Sequence, residues 1–503
     1  MRNIVFLNLI QNNTNSQIHL MNGKSLSTMI QDFTSTLPDV EKIIPIALDI
    51  EQLKMFYSSK DPEDYVILSE NRQDLLLQAM DQAAAGYDQC IYFFGDTPLL
   101  DIDLFNKMYA KHLKYYADYS FADGFPGGLA AEIINPHTLN ELNKLITECS
   151  DPIKRESLFS WIQKDINSFD IETEISEVDL RLNRISLAAD NKINLMQLQA
   201  FIKAGIIRAR DFMDHHNKLE SFTRTAPNYY QIQISAACPQ SCSYCPYPEM
   251  NTDHLTDSRQ MAPEKVIELA LAIEAYTPDA VVSLSLWGEP SLYTNIYELL
   301  EHLLENTELS FVIETSGVGW TDLDDAGIQK IISSQRIEWI FSLDTLNPEL
   351  YRRLRDKGQA EALSTAEYFL KLNPSHTWIQ AIRMKENEDD LEQFYRHWKE
   401  KTDNVIIQKY DHFSKSLPEK KITDLSPLKR FPCWHLKREM SIQLDGNVLL
   451  CCEDLKQEAT LGNCFTDKLE KIWEAGDSRF SEHLDEKYCG ICEHCDEYYS
   501  FNF

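Results

Sequence analysis

The sequence predicts an α/β protein in three segments. These are an α/β segment over 1–215, a partial (β/α)6 barrel of the TIM type over 228–412, and a small α+β, cysteine-rich tail over 426–503. Three observations carry this reading. Short apolar runs alternate with amphipathic stretches through most of the chain, the pattern of strands joined by helices in a parallel sheet. A chain of 503 residues is long for one domain, and about three is the expectation. Most of the twelve cysteines fall in tight groups after residue 230, which in a long chain points to metal ligation and not to a disulfide framework.

The elements follow in order. Met-Arg-Asn-Ile-Val-Phe-Leu-Asn-Leu-Ile at the start is a short apolar run with polar residues after it and no small-residue cleavage site, so it reads as a first strand and not as a signal peptide. Charged stretches near 208–228 and 413–428 read as linkers. Between them, strands are predicted at Tyr230–Ser235, Ala280–Leu286, Ser310–Glu314, Trp339–Leu343, Trp378–Met384 and Asn404–Lys409, with helices such as Pro263–Tyr276 and Asp390–Lys401 among them. Six such units make a partial barrel with its chemistry at the C-terminal ends of the strands. In the tail, Ser441–Cys452 reads as a hairpin turning at Asp445-Gly446 through a two-residue loop. A net charge of −31 argues against a nucleic-acid surface and against anionic lipid, and no stretch approaches a membrane span. A cytoplasmic protein is expected.

Cys238, Cys242 and Cys245 lie just after the first predicted barrel strand, in a CxxxCxxC run with an aromatic residue before the last cysteine. Three thiolates on one loop can hold three irons of a cubane and leave the fourth open. A structural zinc site would ask for four closed ligands. The run resembles the signature of the radical SAM superfamily. That resemblance implies a 4Fe–4S cluster whose open iron binds S-adenosylmethionine, and one-electron cleavage to a 5′-deoxyadenosyl radical. It also implies an electron donor such as ferredoxin or flavodoxin. Gly288-Glu289-Pro290 resembles the family's Gly-Gly-Glu motif, with Trp287 in place of the first glycine, and implies that Gly288 and Glu289 receive the ammonium group. Ser342-Leu-Asp344 resembles the family's Ser-Leu-Asp-Gly and implies polar contacts to carboxylate or ribose. Glu314-Thr-Ser-Gly317 ends the third strand. Gln380 and Arg383 are three apart on the fifth strand, so at most one faces the lumen, and Arg383 is carried as a candidate cofactor contact.

In the tail, Cys433, Gly446 and Cys451, then Cys489, Cys492 and Cys495, resemble the SPASM domain, an auxiliary iron–sulfur module. Cys433, Cys451, Cys492 and Cys495 are the implied ligands of one auxiliary 4Fe–4S cluster, with Cys489 and Cys452 as competitors and zinc as the alternative metal. Glu453 and Asp454 follow the hairpin, where some SPASM enzymes carry a proton acceptor. Cys90, Cys149 and Cys464 read as bystanders.

At the other end, Gly95-Asp96-Thr-Pro-Leu resembles the central motif of GT-A nucleotidyltransferases, with Asp96 and Asp103 as metal-binding candidates, and Asp179–Asp190 resembles that family's last strand and its aspartate. The Gly-rich, Arg-containing loop expected after the first strand is replaced by Ile10-Gln-Asn-Asn-Thr-Asn-Ser, which weakens triphosphate binding there. A GT-A-like, Rossmann-like domain, a radical SAM core and a SPASM tail together resemble the spiro-SPASM family. The expected activity is hydrogen abstraction from a substrate. Peptide or protein modification comes first and a carbohydrate-type small molecule second. A nucleotidyltransferase or glycosyltransferase with structural cysteines, and a non-enzymatic scaffold, are the rivals.

Overall fold

The computed structural model describes residues 1–10, 17–57, 62, 64–146 and 149–500. It contains two compact units, Met1–Thr223 and the chain from Arg224 onward. The segment near 208–228, expected as a linker, is instead largely folded. A helix at Ala209–Asp214 and a 3-10 helix at His216–Phe222 bury Phe212 and Leu219 in the core of the first unit. Their apolar side chains outweigh the charges that flank them.

The first unit is built on a seven-stranded mixed sheet. Its strands are β1 (Asn3–Asn8), β2 (Val40–Ala47), β3 (Val66–Ile67), β4 (Gln89–Phe94), β5 (Tyr119–Asp123), β6 (Glu132–Ile134) and β7 (Ile171–Ile175), in the order β3-β2-β1-β4-β6-β5-β7. Every pairing is parallel except those of β6, which runs antiparallel to β4 and β5. All six residues of β1 are buried. A central parallel strand covered on both faces reads as a continuous apolar run, as Ile-Val-Phe-Leu does here. The last strand is Ile171–Ile175, whereas Asp179–Asp190 holds a 3-10 helix at Arg181–Asn183 and a single parallel bridge of Ser186 to Gly127. The loop Gln11–Ser16 lies outside the described residues.

In the second unit, β8 (Tyr229–Ile232), β9 (Val281–Ser283), β10 (Ser310–Thr315), β11 (Ile337–Ser342), β12 (Thr377–Arg383) and β13 (Val405–Lys409) pair in parallel, each with the next. Helices between them cover the sheet, among them Pro263–Tyr276, whose apolar positions Val266, Leu269, Ala270 and Ile273 recur at helical spacing and are buried. Trp339, Phe341 and Phe369 pack edge to face at the centre of this core.

The tail does not stand apart from the barrel. β14 (Glu439–Ile442) lies parallel beside β8, with Tyr229 opposite Glu439 and Ile232 opposite Ile442. β15 (Asn447–Leu449) and β16 (Thr460–Asn463) follow antiparallel. One nine-stranded sheet therefore runs β13-β12-β11-β10-β9-β8-β14-β15-β16. Met440, Ile442, Val448, Leu469, Ile472 and Trp473 share the barrel's hydrophobic core. Arg224 ties the start of this unit to the tail by donating to the carbonyls of Leu436 (2.9 Å) and Trp473 (2.6 Å), with its guanidinium over the Trp473 ring. The hairpin turn is longer than predicted. Gly446 donates to the Gln443 carbonyl and Gln443 to the Asn447 carbonyl, a three-residue loop with Gly446 at φ +82°. A turn closing in this way needs a left-handed residue at its end, which glycine supplies.

Candidate active site

The three cysteines of the CxxxCxxC run line a cavity of about 280 Å3 at the C-terminal ends of the barrel strands. The loop that carries them is held from several sides. The Cys238 amide donates to the His254 carbonyl (2.8 Å), and the His254 ring meets Ser241 Oγ at 3.0 Å. Gln240 donates to Tyr351 Oη (2.9 Å) and to the Lys357 carbonyl (2.7 Å). Burial pushes all three thiols up, Cys238 to about 12. Thiols held neutral in this way ionise when a metal takes their sulfur atoms, so the donor set fits a cluster and binding would release protons.

Tyr244, the aromatic residue inside the run, has a defined partner. Its hydroxyl donates to Asp344, whose carboxylate also accepts from Arg355 Nη1 (2.8 Å) and from the Ile382 amide (2.8 Å). Arg355 reaches Tyr244 Oη (2.6 Å) and Gln240 Oε1 (3.1 Å) as well. Asp344, at φ +66° and fully buried, is therefore kept out of the cavity lining and tied to Tyr244 and Arg355, which do line it. The sequence expectation placed it towards the cofactor. The structure instead makes it half of a buried ion pair that anchors the loop.

Gly288 and Glu289 line the cavity. Gly288 has φ +79°, and a Cβ there would lie 2.2 Å from the Ser235 carbonyl oxygen, so only glycine fits this approach of β9's end to β8's end. The Glu289 carboxylate is buried and already accepts from Thr315 Oγ1 (2.5 Å), Ser316 N (2.8 Å), Ser316 Oγ (2.6 Å) and Ser291 N (3.3 Å). Four donors fill its lone-pair positions. It therefore braces the end of β10 against the end of β9. Ser342 lies in the cavity wall and donates to Glu314 Oε1 (2.9 Å), which also accepts from Gln380 Nε2 (2.8 Å). Of the pair on β12, Gln380 is thus the residue on the side of Ser342. Arg383 lies elsewhere. Glu388, at the start of the next helix, binds its Nε (2.7 Å) and Nη2 (2.5 Å), a bidentate pairing that draws the guanidinium away from the cavity.

Three further residues of the site were not singled out from the sequence. Arg355 ends an amphipathic helix, where a basic residue reads as solvated, and its full burial follows from tertiary packing alone. Glu314 was noted only as part of a strand end. Trp287 was noted only for replacing a glycine, yet it stacks on Tyr247 (5.9 Å, 5°) and meets Phe413 (5.8 Å), and this aromatic wall packs against Cys238, Cys245 and Cys452.

The tail cysteines converge. Cys433 and Cys492 are buried, Cys451 and Cys495 half-buried, and Cys489 is exposed. Burial pushes the thiols of Cys433 and Cys495 up, with Cys451 and Cys492 adding to the first and Glu453, Cys433 and Cys451 to the second, so the four expected ligands lie near one another. This donor set fits a four-thiolate cluster. Cys452 lies 4.0 Å from Cys451 but packs on the Trp287 side. Glu453 is buried, and burial together with Asp411, a residue of the cavity wall, pushes its carboxyl well up. Asp454 instead closes the following turn by accepting from the Glu458 and Ala459 amides.

Residues 232–397 match the radical SAM superfamily, and residues 433–496 match the SPASM iron–sulfur cluster-binding domain. An uncharacterized protein of Treponema pallidum (strain Nichols) is 37% identical over 364 residues, which covers 69% of this chain and 98% of that protein. The chain belongs to the radical SAM superfamily. It is a radical SAM enzyme with a C-terminal SPASM domain, and its cofactors are S-adenosylmethionine, a 4Fe–4S cluster and an auxiliary cluster. A probable GTP 3′,8-cyclase of Methanocaldococcus jannaschii is 27% identical over 136 residues, 26% of this chain and 41% of that protein. The crystal structure of Streptococcus suis SuiB bound to S-adenosylmethionine aligns with a TM-score of 0.44 at 16% identity, covering 64% of this chain and 88% of that one. Among the described residues, no helix of this radical SAM enzyme is long and apolar enough to cross a membrane.

Proposed function

We propose that this radical SAM enzyme oxidises a peptide or protein by two electrons, removing a hydrogen atom and then an electron and a proton, the tail thiols holding an auxiliary cluster that would supply the acceptor for that electron while the proton passes to solvent. Cys238, Cys242 and Cys245 are its cluster ligands, and Cys433, Cys451, Cys492 and Cys495 are the auxiliary ligands. When bound, the cluster and S-adenosylmethionine supply a 5′-deoxyadenosyl radical that takes a hydrogen atom from the substrate. The chain's own residues do the positioning. Gly288 lets the end of β9 approach the end of β8 at the cavity, and Glu289 holds Thr315 and Ser316 at the cavity wall. Ser342, Glu314 and Gln380 form a polar edge for the ribose or carboxylate. Asp344 and Arg355 fix the cysteine loop through Tyr244 and Gln240. The observation that carries the reading is the joint placement, in one compact unit, of a three-cysteine cavity and four convergent tail thiols.

The test is metal content and turnover together. Anaerobically reconstituted protein is expected to hold about eight irons and no zinc. Cys238→Ala is expected to lose about four irons and all S-adenosylmethionine cleavage, and Cys492→Ala about four irons with cleavage retained. Incubation with a mixed peptide pool is expected to produce peptides lighter by two hydrogens, read by mass spectrometry. Cleavage without any altered peptide, on a pool that includes whole-cell digests, would refute the peptide substrate.

A further inference from the structure

The first unit carries a cavity of about 300 Å3 that no part of the radical chemistry uses. Its wall is aromatic, with Tyr119, Phe121, Phe125 and Phe159 among the lining residues. Phe121 and Phe159 lie 5.0 Å apart, and Tyr119 stacks on Phe121 at 5.6 Å. Set among these rings are two carboxyls, Glu132 and Glu156. Tyr119 Oη donates to Glu132 (2.7 Å), and Glu156 makes no ion pair among the described residues.

Arg155, on the cavity wall, is tied to Asp96, the residue the sequence offered as a metal ligand. Arg155 binds both its oxygens (3.0 and 2.6 Å) and also Asp190 (2.9 Å). A guanidinium in that place satisfies both carboxylates and leaves Asp96 no free oxygen for a divalent ion. Asp103 is exposed on the first turn of a helix whose N-cap is Asp101. Arg155 also shows what the aromatic wall accepts, since its guanidinium lies 4.9 Å from the Phe94 ring centre. Among the described lining residues Arg155 is the one cation, and it is committed to Asp96 and Asp190. Glu132 and Glu156 are thus left without a positive partner.

The geometry points to a binding site for an organic cation, an ammonium or quaternary ammonium group seated against the aromatic wall and facing Glu132. Aromatic side chains attract cations, and a carboxylate beside an aromatic wall completes the charge match. The state of Glu132 agrees. Burial, with Glu156 adding to it, pushes its carboxyl up to about 7, whereas Tyr119 pulls it down. The titratable and charged groups around it are Tyr119, Tyr92, Glu156 and Arg155. A bound cation would favour ionised Glu132, so affinity should fall as pH drops from 8 to 6. The ligand could be a free small molecule or a lysine side chain of a larger one, and the chemistry recognised is the same.

Titration calorimetry on the full-length, cluster-loaded chain tests this. The probes are choline, its uncharged isostere 3,3-dimethylbutan-1-ol, and N-acetyl-lysine amide. Choline or the lysine amide should bind at least about tenfold more tightly than the isostere, and which of the two binds better identifies the source. Glu132→Gln should remove that preference. Glu156→Gln, at an exposed position where folding is not at stake, should weaken it. Equal binding of choline and isostere, binding of no cation, or cation binding unchanged in both variants would overturn the proposal.

Discussion

At the scale of the residue, the site rests on a few groups that admit no substitute. Gly288 is one. Gly288→Ala would combine a left-handed backbone with a Cβ 2.2 Å from a carbonyl oxygen. It should cost about 2 kcal/mol or more of stability and abolish S-adenosylmethionine cleavage, which denaturant unfolding and 5′-deoxyadenosine production would measure. Asp344 and Arg355 are a second case. Arg355→Leu strands a buried carboxylate, and breaking such a pair costs about 3–5 kcal/mol. Because Tyr244 and Gln240 lose their partner too, iron loading at the three cysteines should fall in the same variant. Iron analysis of the folded fraction separates that effect from simple unfolding.

At the scale of the element, periodicity was legible and partnership was not. The strand Thr377–Arg383 and the helix Pro263–Tyr276 stand where alternating and helical patterns put them. Which of Gln380 and Arg383 would enter the site depended on Glu388, a residue of the next helix. The helix Ile102–Tyr115 offers a case with a pH signature. His112 on it is buried, with Ser120 Oγ at 2.8 Å from Nδ1 and Gln89 Oε1 at 2.8 Å from Nε2, and burial lowers its pKa to about 4. The unfolded chain takes up that proton near 6.5 and the folded chain only near 4. Stability should therefore decline as pH falls through that window, by up to about 3 kcal/mol, and stay flat in this respect above it. Urea midpoints of the N-terminal unit between pH 8 and pH 4, compared with His112→Asn, would show it.

At the scale of the whole molecule, the barrel and the tail are one sheet and one core. Truncation at residue 425 would remove β14 from the edge of β8 along with Met440, Ile442, Val448, Leu469, Ile472 and Trp473. The truncated chain should aggregate, while a chain starting at Arg224 should melt cooperatively, and thermal melts followed by circular dichroism would tell the two apart. Barrel and tail lie in one compact unit that begins at Arg224. By itself, the sequence determined that this is a radical SAM enzyme with a SPASM domain. The CxxxCxxC run, the glycine after β9 and the spacing of the tail cysteines are local features, and ligand type and loop geometry are local properties. Only the tertiary structure decided the rest. It turned Asp344 onto Arg355, drew Arg383 to Glu388, placed Arg155 on Asp96 and joined the tail to the barrel edge. Each of those outcomes is a choice among charged or edge partners far apart in the chain, and burial sets which pairing has the lowest free energy.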